Sequence, residues 1–145
     1  EAGDRFGWSL GAGDFDQNGY EDLAVGVPME DIGAIRDAGS VNIILGSSSG
    51  LTTQGNESWH QNSSGIQGVA EAGDRFGLSL AVGDFDNDGD HDLIQLTGAA
   101  SGTESISNLF LVNENGTFVE QATARGLGFR DFDFKLSVRN VANKP

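Results

Sequence analysis

The chain repeats itself at a fixed distance. Residues 1–23 read EAGDRFGWSLGAGDFDQNGYEDL, and residues 71–93 read EAGDRFGLSLAVGDFDNDGDHDL. The offset is 70 residues, and 16 of the 23 aligned positions are identical. Such a period is typical of proteins built from stacked units, each of which buries its apolar surface against a neighbouring unit. The sequence therefore predicts two successive units of one architecture within 145 residues.

Short segments of alternating apolar residues fill each unit. In the first unit Phe6, Trp8, Leu10 and Ala12 recur at every second position, and further alternation follows at residues 23–27 and 41–45, with a fourth short segment at 58–61. A period of two predicts half-buried β-strands, and the Gly-, Ser- and Asn-rich stretches between them predict turns. We therefore expect Trp8 to lie in the core.

The opposite face of the first predicted strand carries only small residues. Gly7, Ser9, Gly11 and Gly13 alternate with the apolar set. Glycine within a strand is typical of a place where another backbone approaches closely. We expect neighbouring backbones to approach closely at this face.

The predicted fold is all-β, with antiparallel four-stranded blades of a partial, unclosed β-propeller. Blade 1 is assigned to residues 1–70, blade 2 to 71–128, and 129–145 to a degenerate start of a third blade or an edge segment. Propellers typically close with four to eight blades, so two blades leave sheet edges and blade faces exposed. The chain is expected to belong to a longer protein or to associate with neighbouring blades of the same or another chain.

Each unit contains one acidic loop of the pattern D-x-[DN]-x-[DN]-G-x-x-D, at residues 14–22 and 84–92. Calcium takes six to eight oxygen ligands, and a glycine at the sixth position permits the sharp turn that makes such oxygens converge. Side-chain oxygens at positions 1, 3, 5 and 9 and the carbonyl at position 7 predict two Ca²⁺ sites. The candidate ligands are Asp14, Asp16, Asn18, Tyr20 (carbonyl) and Asp22, and Asp84, Asp86, Asp88, Asp90 (carbonyl) and Asp92.

Other interpretations of the acidic loops fit less well. The helix-loop-helix calcium motif requires a glutamate at position 12, where this chain has Val25 and Gln95. Magnesium rarely fills an all-protein cage, and zinc lacks a ligand set because there is no cysteine and only His91 lies in a loop. A solvated, Asx-rich turn without metal stays open as the alternative.

Charge and composition exclude several classes of function. Eight basic and 22 acidic residues give a net charge of −14, which disfavours binding to nucleic acid or to an anionic membrane surface. No apolar run reaches the 18 residues or more that predict membrane insertion. The G-x-S-x-G matches, GWSLG at residues 7–11 and GSSSG at residues 46–50, fall in a predicted strand and in a predicted turn between two strands instead of a strand-to-helix elbow. The two histidines lie in unlike contexts, so we expect no enzymatic activity.

The chain resembles the FG-GAP repeats of integrin-α-type β-propellers. FGWSL, FGLSL, the two GDFDxxG loops and DLAVGVP carry the resemblance, and LFLVNENGTFVEQATARGLG resembles related, VCBS-like bacterial blades. The resemblance implies a calcium-binding, non-catalytic module of an extracellular or cell-surface protein. Its role would be that of a scaffold, or of an adhesion surface for an unknown protein or glycan ligand. The alternative is an accessory propeller segment of a secreted enzyme, such as a phospholipase or a polysaccharide lyase.

Overall fold

The computed structural model describes residues 3–66, 68–96, 109–113 and 118–120, and every regular element in these ranges is a β-strand. The eight strands form two antiparallel sheets, in the order β1-β2-β3-β4 and β5-β6-β7-β8. The strands are β1 Ser9–Gly13, β2 Asp22–Val27, β3 Ser40–Ile44, β4 Glu57–Trp59, β5 Ser79–Gly83, β6 Asp92–Leu96, β7 Leu109–Asn113 and β8 Phe118–Glu120. The predicted all-β class, with four-stranded antiparallel blades in an unclosed stack, is confirmed.

The two sheets repeat the same strand register. Gly13 pairs with Asp22 at the end of the first hairpin, and Gly83 pairs with Asp92 at the end of the equivalent hairpin. Each acidic loop therefore joins the first two strands of its sheet at the same place. Strands β1–β4 and β5–β8 are called blade 1 and blade 2 below. The predicted limits of these units stay predictions, and the predicted third unit at 129–145 lies outside the described residues.

One apolar core spans both blades. Phe118 of blade 2 makes edge-to-face contacts with Phe15, at 5.5 Å between ring centroids, and with Trp59 of blade 1, at 5.8 Å. Neither sheet buries its apolar residues alone, which is the physical reason for stacking them. The buried members of the core are Phe15, Ala24, Val41, Ile43, Ile66, Phe76, Leu93 and Phe118.

The small-residue face of β1 packs directly against β5. A Cβ atom added to Gly11 would lie 2.6 Å from Val82 Cγ2, and one added to Gly13 would lie 2.9 Å from Val82 Cγ1. Contacts this short do not occur between real Cβ atoms and their neighbours, so a larger residue would push the blades apart. The prediction was a close approach of backbones at this face, and in the structure the Val82 side chain of β5 packs against Gly11 and Gly13.

The Phe-Gly dipeptide of blade 2 fixes that blade to blade 1. Phe76 is fully buried, and its N–H donates to the carbonyl oxygen of Ala38 at 2.8 Å. The Gly77 carbonyl accepts a hydrogen bond from Ser9 Oγ at 2.7 Å, and the Gly77 N–H donates to Gln95 Oε1 at 2.7 Å. The dipeptide thus serves as an inter-blade contact.

The predicted burial of the apolar face of the first strand is wrong. Phe6, Trp8 and Leu10 are 65%, 53% and 59% exposed, and the guanidinium carbon of Arg5 lies 4.8 Å from the Trp8 ring centroid. β1 begins only at Ser9, so Phe6 and Trp8 precede it. Alternation in the sequence identifies an apolar face, but it does not show which part of the protein covers that face. Blade 1 covers Phe76 of blade 2, whereas no described residue covers the equivalent Phe6. The fourth strand is likewise earlier than predicted, at Glu57–Trp59 instead of 58–61.

Candidate metal centres

Acidic loop 1, residues 14–22, is coiled by hydrogen bonds from its own backbone. The Asn18 N–H donates to Asp14 Oδ1 at 3.0 Å and to Asp16 Oδ1 at 3.1 Å, and the Gly19 N–H donates to Asp14 Oδ2 at 2.8 Å. Gly19 has a φ of +87°, a left-handed conformation that suits glycine. The predicted sharp turn at position 6 is therefore present. Gln17 also has a positive φ of 59°, which the sequence pattern did not indicate.

Acidic loop 2, residues 84–92, has the same frame. The Asp88 N–H donates to Asp84 Oδ1 at 3.1 Å and to Asp86 Oδ1 at 3.2 Å, and the Gly89 N–H donates to Asp84 Oδ2 at 3.3 Å. The φ angles at positions 4 and 6 are again positive, with 63° at Asn87 and 101° at Gly89. Two sequences that differ at several loop positions thus form one geometry.

The carboxylate at position 9 fastens each loop to its sheet. Asp22 and Asp92 are both buried. Asp22 accepts the Phe15 N–H at 2.7 Å and the Gly46 N–H at 2.6 Å, each on a different oxygen. Asp92 does the same with the N–H groups of its own loop and of Asn113, at 2.8 and 2.9 Å. This anchoring role was not predicted, because the partners in β7 and after β3 are more than 20 residues away in sequence.

Three carboxylates converge in each loop. In loop 1, Asp14, Asp16 and Asp22 each offer an oxygen within 4.8 Å of the others, and in loop 2 Asp84, Asp86 and Asp88 do so. Like charges at this separation repel, and hard oxygen donors are the ligands that calcium and similar cations prefer. The chemistry of the donor set therefore fits a hard divalent cation.

Two further residues among the predicted ligands form hydrogen bonds within the protein. Asn18 Oδ1 accepts the Tyr20 N–H at 2.9 Å, and Asn18 Nδ2 donates to Asp16 Oδ2 at 2.9 Å and to the Gly46 carbonyl at 3.3 Å. Asp90 donates its N–H to Asp88 Oδ1 at 2.9 Å. The role of the carbonyls of Tyr20 and Asp90 as ligands stays a prediction, as does the full set of ten.

The crowding of carboxylates changes the acidity of Asp88. The hydrogen bond from the Asp90 N–H lowers the pKa of Asp88. Loss of water around the carboxylate, the charges of Asp86 and Asp90, and a side-chain hydrogen bond with Asp86 act in the opposite direction. Together they hold the pKa of Asp88 above its ordinary value. A cation bound in loop 2 would therefore compete with a proton.

In each blade the Phe-Gly dipeptide lies just before the first strand, and the acidic loop joins the first strand to the second. A sequence model of the FG-GAP repeat matches residues 6–44. The chain carries an FG-GAP repeat. The match spans β1, β2 and β3 of blade 1 together with acidic loop 1. The further resemblance of blade 2 to VCBS-like bacterial blades stays a prediction.

Several animal proteins are similar to most of this chain. Phosphatidylinositol-glycan-specific phospholipase D of Rattus norvegicus is 31% identical over 122 residues, or 84% of this chain, and that of Mus musculus is 32% identical over the same length. The Bos taurus protein is 35% identical over 104 residues, or 71% of this chain. The chain spans only 12–14% of the length of these relatives. The described part of the chain has no helix with the length and apolar character to cross a membrane.

Proposed function

We propose that the chain is a calcium-binding, non-catalytic β-propeller module whose two acidic loops each hold one Ca²⁺. The observation that carries the proposal is the convergence of three carboxylates within 4.8 Å in both loops, on the same frame of backbone hydrogen bonds. A solvated turn without metal explains the hydrogen bonds of one loop. It does not explain why both loops gather three mutually repelling carboxylates at the same place in the fold.

The proposed role of the cation is structural. Bound calcium supplies positive charge that offsets the repulsion among the three converging carboxylates, at positions 1, 3 and 9 of loop 1 and at positions 1, 3 and 5 of loop 2. The protein contributes a preformed turn at Gly19 or Gly89 and a buried anchor at Asp22 or Asp92. Since calcium binds the folded loop, it stabilises the fold by mass action.

A calcium titration of the ¹⁵N-labelled chain tests this function. The amides of Gly19 and Gly89 lie one in each loop and report the two sites separately. Both resonances should shift with a dissociation constant on the order of 10⁻⁴ to 10⁻³ M, the range of extracellular calcium modules. Asp86→Ala should abolish the shift of Gly89 only. Asp31→Ala is the matched control, because Asp31 also accepts a local backbone N–H, from Asp37 at 2.8 Å, but lies outside both loops.

Absence of any shift at millimolar calcium would overturn the proposed function. Magnesium provides the selectivity control, because it keeps several waters and prefers octahedral geometry. We expect a weaker response to magnesium at both glycines. An equal response would redefine the loops as unselective cation sites.

The proposed partner of the exposed apolar face is another blade of the same kind, which for this chain in isolation means a second copy. The FG face, defined as the side chains of Phe6, Trp8 and Leu10, is exposed, whereas the equivalent Phe76 is buried against blade 1. On blade 2, Ser79 and Ala81 are also exposed, and they are equivalent to the small residues that receive blade 2 on β1. Repeating the internal blade contact would therefore join blade 2 of one copy to blade 1 of the next.

Sedimentation velocity tests this association. The chain should sediment faster as its concentration rises, and Trp8→Glu should suppress the effect because it places a charge on the FG face. Leu51→Glu is the matched control, since Leu51 is 55% exposed but lies outside the FG face. A monomer at all concentrations, or equal loss of association in both variants, contradicts the proposed partner.

We further propose that the module works outside the cell as a scaffold or adhesion surface. Millimolar affinity for calcium is useful only where calcium is plentiful, as it is in extracellular fluid. The relatives named as phospholipases favour a second candidate, an accessory segment of a secreted lipid-cleaving enzyme. The chain itself should release no protein from a phosphatidylinositol-glycan anchor in vesicles. Calcium-dependent release would overturn the non-catalytic assignment.

A further inference from the structure

A buried amide joins the two acidic loops. Asn113, at the end of β7, is fully buried, and its Nδ2 donates to the Phe15 carbonyl of loop 1 at 2.8 Å and to the His91 carbonyl of loop 2 at 3.2 Å. Its backbone N–H donates to Asp92 Oδ1 at 2.9 Å. Both hydrogens of the side-chain amide are thus engaged, one with each blade. Asn113 is placed to hold the loops in a fixed relation.

A second contact joins the loops independently. His91 lies between two predicted ligands of loop 2, and its Nδ1 accepts the N–H of Asp14 at 3.3 Å. Asp14 is position 1 of loop 1. A Cβ atom added to Gly13 would lie 3.0 Å from the His91 ring, so the imidazole packs closely against the start of that loop. The two links lie on successive residues of loop 1, Asp14 and Phe15.

Comparison of the two blades shows that the amide bridge is particular to blade 2. Gly46 occupies the equivalent place in blade 1, since its N–H donates to Asp22 Oδ1 as that of Asn113 donates to Asp92 Oδ1. A Cβ atom on Gly46 would clash with the carbonyl oxygen of Glu21, the residue equivalent to His91. Blade 1 therefore has no side chain there, and the bridge is not required to build a blade.

We propose that Asn113 and His91 couple the two acidic loops, so that an ion bound in one loop raises the affinity of the other. The inference rests on the proposed calcium function. An ion that orders loop 2 also orders the His91 carbonyl and ring, and through them the backbone of Asp14 and Phe15. Loop 1 then loses less conformational freedom when it binds its own ion, which gives positive coupling without a change of fold. Asn113 and His91 act as positioning residues and need not touch the ion.

Single-loop variants measure the coupling. Asp16→Ala impairs loop 1 and Asp86→Ala impairs loop 2, while the Gly89 or Gly19 amide reports the loop that is left. Coupling of sites is typically about fivefold or more, and it is reciprocal. We expect the dissociation constant of loop 1 to rise about fivefold when loop 2 is impaired, and that of loop 2 to rise by the same factor when loop 1 is impaired. In an Asn113→Ala background both factors should fall towards one.

The control is Asn56→Ala. Asn56 also bridges two backbone segments, with its Oδ1 accepting the Leu45 N–H at 3.1 Å and its Nδ2 donating to the Thr52 carbonyl at 3.2 Å, but neither segment is an acidic loop. It should leave the coupling factor unchanged. If Asn113→Ala does not fold, His91→Leu removes the other link and should lower the coupling factor. His91→Asn, which offers an amide oxygen in place of Nδ1, should keep the coupling factor of the unaltered chain.

A second measurement needs no calcium. In the calcium-free protein Asn113→Ala should accelerate amide hydrogen exchange at both Gly19 and Gly89, and Asn56→Ala should accelerate neither. If neither glycine responds to calcium in the unaltered chain, the proposed function is wrong. If both glycines respond, but each loop binds calcium with the same affinity whether or not the other loop is impaired, the calcium function stands and the coupling is wrong. The same conclusion holds if Asn113→Ala leaves the coupling factor unchanged.

Discussion

Replacing a phenylalanine at one repeat position in each blade should give opposite results. Phe6 and Phe76 are the same residue at the same place in the repeat. Phe76 is 0% exposed and belongs to the core that joins the blades, whereas Phe6 is 65% exposed. Phe76→Ala should therefore be severely destabilising, and Phe6→Ala nearly neutral in the monomer.

The magnitudes follow from burial. Truncation of a fully buried phenylalanine to alanine costs about 3–5 kcal/mol, because apolar contacts are lost and a cavity remains. An exposed substitution is usually within about 0.5 kcal/mol. With a urea m-value of about 2 kcal/mol per M, Phe76→Ala should lower the unfolding midpoint by about 1.5–2.5 M, and Phe6→Ala by less than about 0.3 M.

Urea unfolding followed by tryptophan fluorescence at low protein concentration measures both variants. Trp59 lies partly buried against the core and reports its loss. Phe76→Leu, which keeps most of the volume, should cost less than about 1.5 kcal/mol and serves if the alanine variant does not fold. Equal shifts of the unfolding midpoint for Phe6→Ala and Phe76→Ala would contradict this expectation, since they would mean that both dipeptides are equally buried in solution.

Three further expectations follow from the inter-blade contacts and the loops. Gly11→Ala should destabilise the fold by about 1–3 kcal/mol in urea unfolding, because its Cβ would lie 2.6 Å from Val82 Cγ2; a neutral result would show that β1 and β5 are less closely packed. Asp92→Ala should lower the calcium-free melting temperature, since it leaves two N–H groups without their carboxylate acceptor at a cost of about 1–3 kcal/mol each; an unchanged melting temperature would argue against the anchoring role. The pKa of Asp88 is raised, so it takes up a proton at a higher pH than an ordinary aspartate does, and the calcium affinity that NMR titration measures at Gly89 should fall as the pH decreases into that range; an affinity at Gly89 that does not change with pH would contradict this expectation.

The local features of this fold could be predicted from the sequence, and the contacts between blades could not. Strands and acidic loops follow from alternation and from glycine and aspartate at fixed spacing, over fewer than ten residues. The contacts of Asp14 with His91 and of Phe15 with Asn113 join residues 77 and 98 positions apart. Nothing local marks Asn113 as a bridge, and nothing local distinguishes the exposed Trp8 from a buried residue. Such contacts depend on which blade packs on which face.

The acidic loops show the same division. The pattern predicted that carboxylates would converge and that Gly19 and Gly89 would turn the chain, and the structure has both features. It gave position 9 a ligand role only, whereas Asp22 and Asp92 also anchor each loop to a strand or turn beyond it. A buried carboxylate that accepts two N–H groups stabilises a loop with or without a metal. Calcium binding by the two loops therefore needs a direct measurement.

That measurement is the calcium titration of the unaltered chain, followed at Gly19 and Gly89 by NMR. Both amides should shift, each with a dissociation constant on the order of 10⁻⁴ to 10⁻³ M. The calcium-bound protein should also have a higher melting temperature. If neither amide moves at millimolar calcium and the melting temperature stays the same, the two acidic loops are solvated turns and the proposed function is wrong.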